Sequence, residues 1–133
     1  MNQYQKYFAR KYLSNGYNVL VSYRDYFQCE NCNFSFDDKE LSHLIEILSE
    51  IEKTFSVYVL MSCDCKYFYS DMICIMGNFP DIAKVFSGTS FEPEILISSD
   101  DLYLEDYNCY FLEKRSQREI NLKNTTCTYL YWD

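Results

Sequence analysis

Apolar and polar positions along this chain change period several times, and each change marks an element. Tyr4, Tyr7, Phe8 and Tyr12 recur at three- and four-residue spacing, which lays them on one face of a helix over about 3–14. Asn15-Gly16 follows as the left-handed stop that ends helices. Residues 17–23 (YNVLVSY) are rich in β-branched and aromatic side chains and predict a strand. The stretch 24–36 has no clear period and is expected to be a loop.

The most regular segment comes next. Leu41, Leu44, Ile45, Leu48 and Ile51 form one unbroken apolar stripe, predicting a helix over 38–53. Asp37 can cap its first amides while Glu40 reaches back, a capping box with Asp in the Ser/Thr place. Phe36 and Leu41 occupy the two positions of a hydrophobic staple across that cap.

Beyond it, 55–61 (FSVYVLM) is apolar on both faces except at Ser56, which suits an interior strand. Residues 72–76 (MICIM) predict another strand, and a short helix is expected between Pro80 and Gly88. Three further strands are expected at 94–98, 107–113 and 126–132. The order α-β-α-β-β-α-β-β-β argues for an α+β fold, with a mixed, mainly antiparallel sheet of five to six strands carrying two to three helices. A single βαβ unit, strand 17–23 through helix 38–53 to a parallel strand 55–61, fits inside that scheme. No repeat, low-complexity tract or linker divides the chain, so one domain over 1–133 is expected.

Composition supports a packed core. Hydrophobic residues make up 48% of the 133, with only 3 Gly and 2 Pro, which excludes disorder by composition. Aromatic residues reach 19%, with 14 Tyr and 10 Phe. Tyrosine joins a large apolar ring to a polar tip, so many of these can sit half-buried at a surface. No apolar run approaches the roughly 20 residues that a membrane span needs. Met1 to Arg10 carry Gln3, Gln5, Lys6 and Arg10 and lack the apolar centre of a secretory leader. With seven cysteines, an odd number, a reducing cytoplasmic setting is expected. There the acceptor patterns at Asn33-Phe34-Ser35 and Asn124-Thr125-Thr126 carry no meaning for glycosylation.

Charge narrows the partners. Twelve Lys and Arg against 20 Asp and Glu leave a net charge of −8. Phosphate backbones and anionic membranes repel such a protein, whereas a basic protein partner is attracted to it. The plainer reading of the same charge is solubility.

The candidate chemistry begins with cysteine. Cys29-x-x-Cys32 and Cys63-x-Cys65 would lie at the same end of one sheet if strands 17–23 and 55–61 were parallel, and four thiolates could then hold a structural zinc ion. Antiparallel strands would break that site. The competing reading treats the thiols as small hydrophobes. Redox catalysis by Cys29 and Cys32 is disfavoured, because reactive pairs sit at helix starts and Glu30 stands between these two. Cys74, Cys109 and Cys127 fall inside strands and are expected in the core.

Enzymatic motifs are sparse. The sole histidine, His43, lies off the apolar stripe of its helix, and no nucleophile elbow, phosphate loop, zinc-protease or kinase pattern is present. Acidic clusters occur at Asp37/Asp38, at Asp64 and Asp71, and across 100–106. Asp100, Asp101, Glu105 and Asp106 alternate there with Leu102, Tyr103, Leu104 and Tyr107. The C-terminal Tyr129, Tyr131, Trp132 and Asp133 repeat the combination. A solvated loop explains the cluster; so does a partner-binding surface of Asp100, Asp101, Tyr103, Glu105, Asp106, Tyr107, Tyr131 and Trp132, with aromatic anchors ringed by carboxylates.

The expected function is therefore a small, non-enzymatic binding module that neutralises a basic partner. An immunity protein or antitoxin against a nuclease, or a phage-type inhibitor of a nucleic-acid-binding protein, has that chemistry. The alternatives are a zinc-stabilised adaptor domain and a carboxylate-dependent enzyme, and an exposed aromatic surface would equally serve a homodimer.

Overall fold

A computed structural model describes residues 1–102, 104 and 107–132, with the backbone alone at Ser99 and Asp100. In chain order the elements are α1 (Gln3–Ser14), β1 (Asn18–Ser22), α2 (Tyr23–Phe27), β2 (Cys32–Phe34), α3 (Asp38–Glu52), β3 (Ser56–Leu60), β4 (Ser62–Cys63), β5 (Phe68–Ser70) and β6 (Met72–Met76). Then come α4 (Ile82–Phe86), β7 (Glu94–Leu96), a 3-10 turn (Ser99–Leu102), β8 (Asn108–Leu112), β9 (Gln117–Asn121), a second 3-10 turn (Leu122–Asn124) and β10 (Cys127–Tyr131).

The fold is α+β. A seven-stranded mixed sheet runs β7-β10-β6-β3-β1-β8-β9, and a small sheet runs β2-β5-β4. The large sheet exceeds the expected five to six strands, and four α-helices among the described residues exceed the expected two to three. Its pairings are antiparallel except β1 with β8. The expected parallel pairing of β1 with β3 is therefore corrected. The two run antiparallel, with Leu20 opposite Leu60 and Ser22 opposite Tyr58.

Side chains alternate across the sheet, and both faces are apolar in its central strands. Val19, Val21, Val57, Val59, Ile73, Ile75, Leu112 and Leu130 face the helices. Leu20, Cys74, Cys109, Phe111, Cys127 and Tyr129 face the other way, beneath Leu122, Leu102 and Leu104. The 3-10 turns thus cover the face that the helices leave open.

The helices are held locally before they pack. Asp37 accepts from the Glu40 amide at 2.8 Å, and Glu40 accepts in return from the Asp37 amide at 3.4 Å. Leu44, Leu48 and Ile51 are buried, each worth about 1.5–3 kcal/mol before entropy is subtracted. In α1 the buried face runs through Gln5, Ala9 and Tyr12, while Tyr7 turns to solvent. Tyr12 stacks on Tyr110 of β8 at 3.8 Å between ring centres. Gly16 takes φ 83°, a left-handed conformation that lets the chain leave the helix and enter β1.

The loop expected at 24–36 holds α2 and β2, whose few residues leave no periodic signal. The largely polar β9, with Ile120 its one apolar residue, was equally invisible to pattern. Its charged residues Arg118 and Glu119 sit on an exposed sheet edge, where charge discourages further pairing.

Leu48→Ala is expected to lower unfolding free energy by about 2–5 kcal/mol, and Asp37→Ala by about 1 kcal/mol. Denaturant titration followed by circular dichroism checks both values.

Candidate functional site

The edge of the large sheet gathers carboxylates around one tyrosine. β7 pairs with β10 so that Glu94 stands opposite Tyr131, and Tyr131 in turn stands opposite Met72 of β6. After β7 the chain turns back, with the Asp101 amide donating to the Ser98 carbonyl at 3.1 Å, and this leaves Asp101 exposed beside the same strands. Glu94, Asp101, Tyr131, Met72, Leu96 and Leu102 line a cleft of about 520 Å³.

A second cleft of about 410 Å³ shares Glu94 and Tyr131 and adds Glu40, Glu92, Phe36 and Phe91. Glu40 is positioned by the α3 cap, and Glu92 accepts from the Gly88 amide at 3.0 Å. Together the clefts form a furrow with four carboxylates and an aromatic floor. Neither lining contains Lys or Arg.

Of the predicted surface residues, the structure brings Asp101 and Tyr131 together here. Trp132 lies mainly inside the core. It is 6% exposed, its indole N–H donates to the Phe91 carbonyl at 2.7 Å, and its ring packs against Phe34, Phe36 and Phe86. It lines the second cleft with only the rim of a ring that otherwise closes the core, where a large aromatic gains most from burial. Tyr129 is likewise buried.

Tyr107 is half-buried on the approach to β8, with the Lys123 ammonium 5.5 Å from its ring centre, and lines neither cleft. Asp100 falls in the first 3-10 turn, where the backbone alone is described. Tyr103, Glu105, Asp106 and Asp133 lie outside the described residues. Sequence reasoning missed Glu40, Glu92 and Glu94. They come from separate segments, and only cross-strand pairing reveals that Glu94 meets Tyr131.

The predicted acidic residue Asp64 has structural work. The Asp64 carboxylate accepts from the Tyr67 amide at 2.7 Å and the Lys66 amide at 2.8 Å, which holds its pKa below the usual carboxylate range. Arg10 crosses from α1 to that same turn, donating to the Asp64 and Lys66 carbonyls over the Phe68 ring. His43 is exposed, edge-on to Phe91 at 5.3 Å.

The four thiols expected to share a metal do not converge. In the small sheet Cys32 stands opposite Phe68, and Phe68 stands opposite Cys63. Two strand spacings, about 10 Å, separate the two cysteines, and Phe68, 1% exposed, fills the gap. Sulfurs sharing a zinc ion at about 2.3 Å each would be only about 4 Å apart. Cys65 is exposed in the turn beyond β4. Among the described residues no group of three or more His, Cys, Asp or Glu side chains could hold a metal ion. The donor set therefore does not fit the four-thiolate zinc site.

Cys74, Cys109 and Cys127 share the second apolar cluster. The contact with Cys127 and burial push the Cys74 thiol well above its ordinary pKa, and burial does the same to Cys109. No helix of the described residues is long and apolar enough to cross a membrane. Comparison of the chain with protein-family models, curated proteins and solved structures finds no match.

Thiol labelling of the native protein is expected to modify Cys65 first, and Cys74, Cys109 and Cys127 only at the rate of unfolding. Native mass spectrometry after zinc titration is expected to show no one-zinc species whose retention requires both Cys29 and Cys63. Such a species would restore the shared site.

Proposed function

We propose that this protein is a small acidic binding module that docks on a basic protein through the furrow between β7, β10 and the Ser99–Leu102 turn, and neutralises it. The observation that carries this reading is the lining: Glu94 and Tyr131 are shared by two adjoining clefts, one adding Asp101 and the other Glu40 and Glu92, and neither lining holds Lys or Arg. Lys and Arg side chains of a partner would place their apolar stems against Tyr131, Leu96 and Leu102 and their charged heads against the carboxylates. The net charge of −8 adds long-range attraction to the local fit.

Nucleases and nucleic-acid-binding proteins present basic, substrate-shaped surfaces, so they are the partner class with matching chemistry. An immunity-protein, antitoxin or phage-inhibitor role follows from plugging such a surface. This mode of action calls on no catalytic group.

The test is binding to purified cationic nucleases and nucleic-acid-binding proteins, with inhibition of the bound enzyme as the second readout. Association is expected to slow by about tenfold or more between low and high salt. The Glu94→Gln/Asp101→Asn double variant should slow association several-fold. Tyr131→Ala should speed dissociation by about tenfold, roughly 1.4 kcal/mol, since an aromatic anchor carries more energy than steering charges. Circular dichroism melts of each variant separate these effects from loss of fold. Binding indifferent to salt and to all three substitutions would overturn the assignment.

A further inference from the structure

The Cys29–Cys32 pair lies away from the furrow linings and is built differently from the other thiols. The Cys32 amide donates to the Cys29 carbonyl at 3.3 Å, with Glu30 and Asn31 at the corners, so the two cysteines are the end residues of one hydrogen-bonded turn. Such a turn brings its end Cα atoms within about 7 Å, and a disulfide needs about 4.4–6.8 Å.

Two other neighbouring pairs are less well placed. Cys32 and Cys63 are separated by the β5 strand. Cys74 and Cys127 are diagonal neighbours, since Cys74 faces Tyr129 and Cys127 faces Met76, and such diagonals are about 7–8 Å apart.

We propose that Cys29 and Cys32 are a reversible oxidation site that closes to an intramolecular disulfide with a low-molecular-weight disulfide such as oxidised glutathione. The Cys29 thiolate attacks one glutathione sulfur and expels a glutathione thiolate. Cys32 then loses its proton and attacks the Cys29 sulfur of the mixed disulfide, expelling the second glutathione. Two protein S–H bonds and one glutathione S–S bond are lost, one protein S–S bond and two glutathione S–H bonds form, and two electrons and two protons pass to glutathione.

The order of attack follows from the surroundings. Burial alone would raise the Cys29 thiol, but the contact with Cys32, the Asn31 backbone and the nearby amino group and Lys6 charge outweigh it and lower its pKa. Burial and the same contact raise that of Cys32. Closure is slow rather than catalytic, because Cys29 is 8% exposed and follows the carboxyl end of a five-residue helix, where no helix dipole activates it.

The full chain is equilibrated in glutathione buffers of rising oxidised fraction, quenched, alkylated and digested with trypsin. The peptide spanning 25–39 carries Cys29 and Cys32 alone, and that spanning 54–66 carries Cys63 and Cys65 alone. The expected result is near-complete loss of alkylation in 25–39 with loss of two hydrogens, reversed by reduced glutathione, while 54–66 loses no hydrogens and at most carries a glutathione on exposed Cys65. Cys32→Ser, at the more exposed position, should stop at a glutathione adduct on Cys29. Persistent alkylation of 25–39 in the wild-type protein, or closure of 54–66 or a cross-link between peptides instead, overturns the proposal without relying on any variant.

Discussion

A sheet that is apolar on both faces has to be covered on both, and that constraint organises this molecule. β1, β3, β6, β8 and β10 alternate Val, Ile and Leu toward the helices with Leu, Cys, Phe and Tyr toward the opposite side. α1, α3 and α4 close the first face. Among the described residues the second face carries no α-helix, and 3-10 turns cover it, with Leu102 and Leu122 joining the cluster of Cys74, Cys109 and Tyr129.

The furrow is a by-product of the same arrangement. β7 is only three residues long and pairs with β10 alone, so the sheet ends there, and the returning Ser99–Leu102 turn leaves a gap beside it. Charge at such an edge discourages the addition of a further strand. Glu94 therefore serves the fold by guarding the edge and serves the proposed docking by lining the cleft. Trp132 supports the site from below. Its ring joins Phe34, Phe36 and Phe86, which fixes the strand end that carries Tyr131.

The cysteines divide into environments with separate consequences. Three are buried in the thinly covered face, two flank Phe68 on the small sheet, and Cys65 lies in a turn. Cys29 completes a turn with Cys32. A count of seven, or a list of short spacings, does not distinguish a shared metal site from a local dithiol, because the difference lies in which strands are neighbours.

The local elements were legible in the residues themselves. The caps at Asp37 and Gly16, the stripe from Leu41 to Ile51, and the apolar runs in β1, β3, β6, β8 and β10 are short-range signals, and they located α1, α3 and those strands within a residue or two. The sequence also made Cys74, Cys109 and Cys127 core residues, since they sit inside apolar strands. Direction of pairing was out of its reach. β1 and β3 are apolar on both faces, so either orientation buries them equally, and the long connection through α3 permits both. The short β2, β4 and β5, and the polar β9, exist as strands because a partner is beside them, not because their own residues demand it. The meeting of Glu94, Asp101 and Tyr131 and the separation of Cys32 from Cys63 were likewise decided by the tertiary structure, because both depend on backbone hydrogen bonds between segments far apart in the chain.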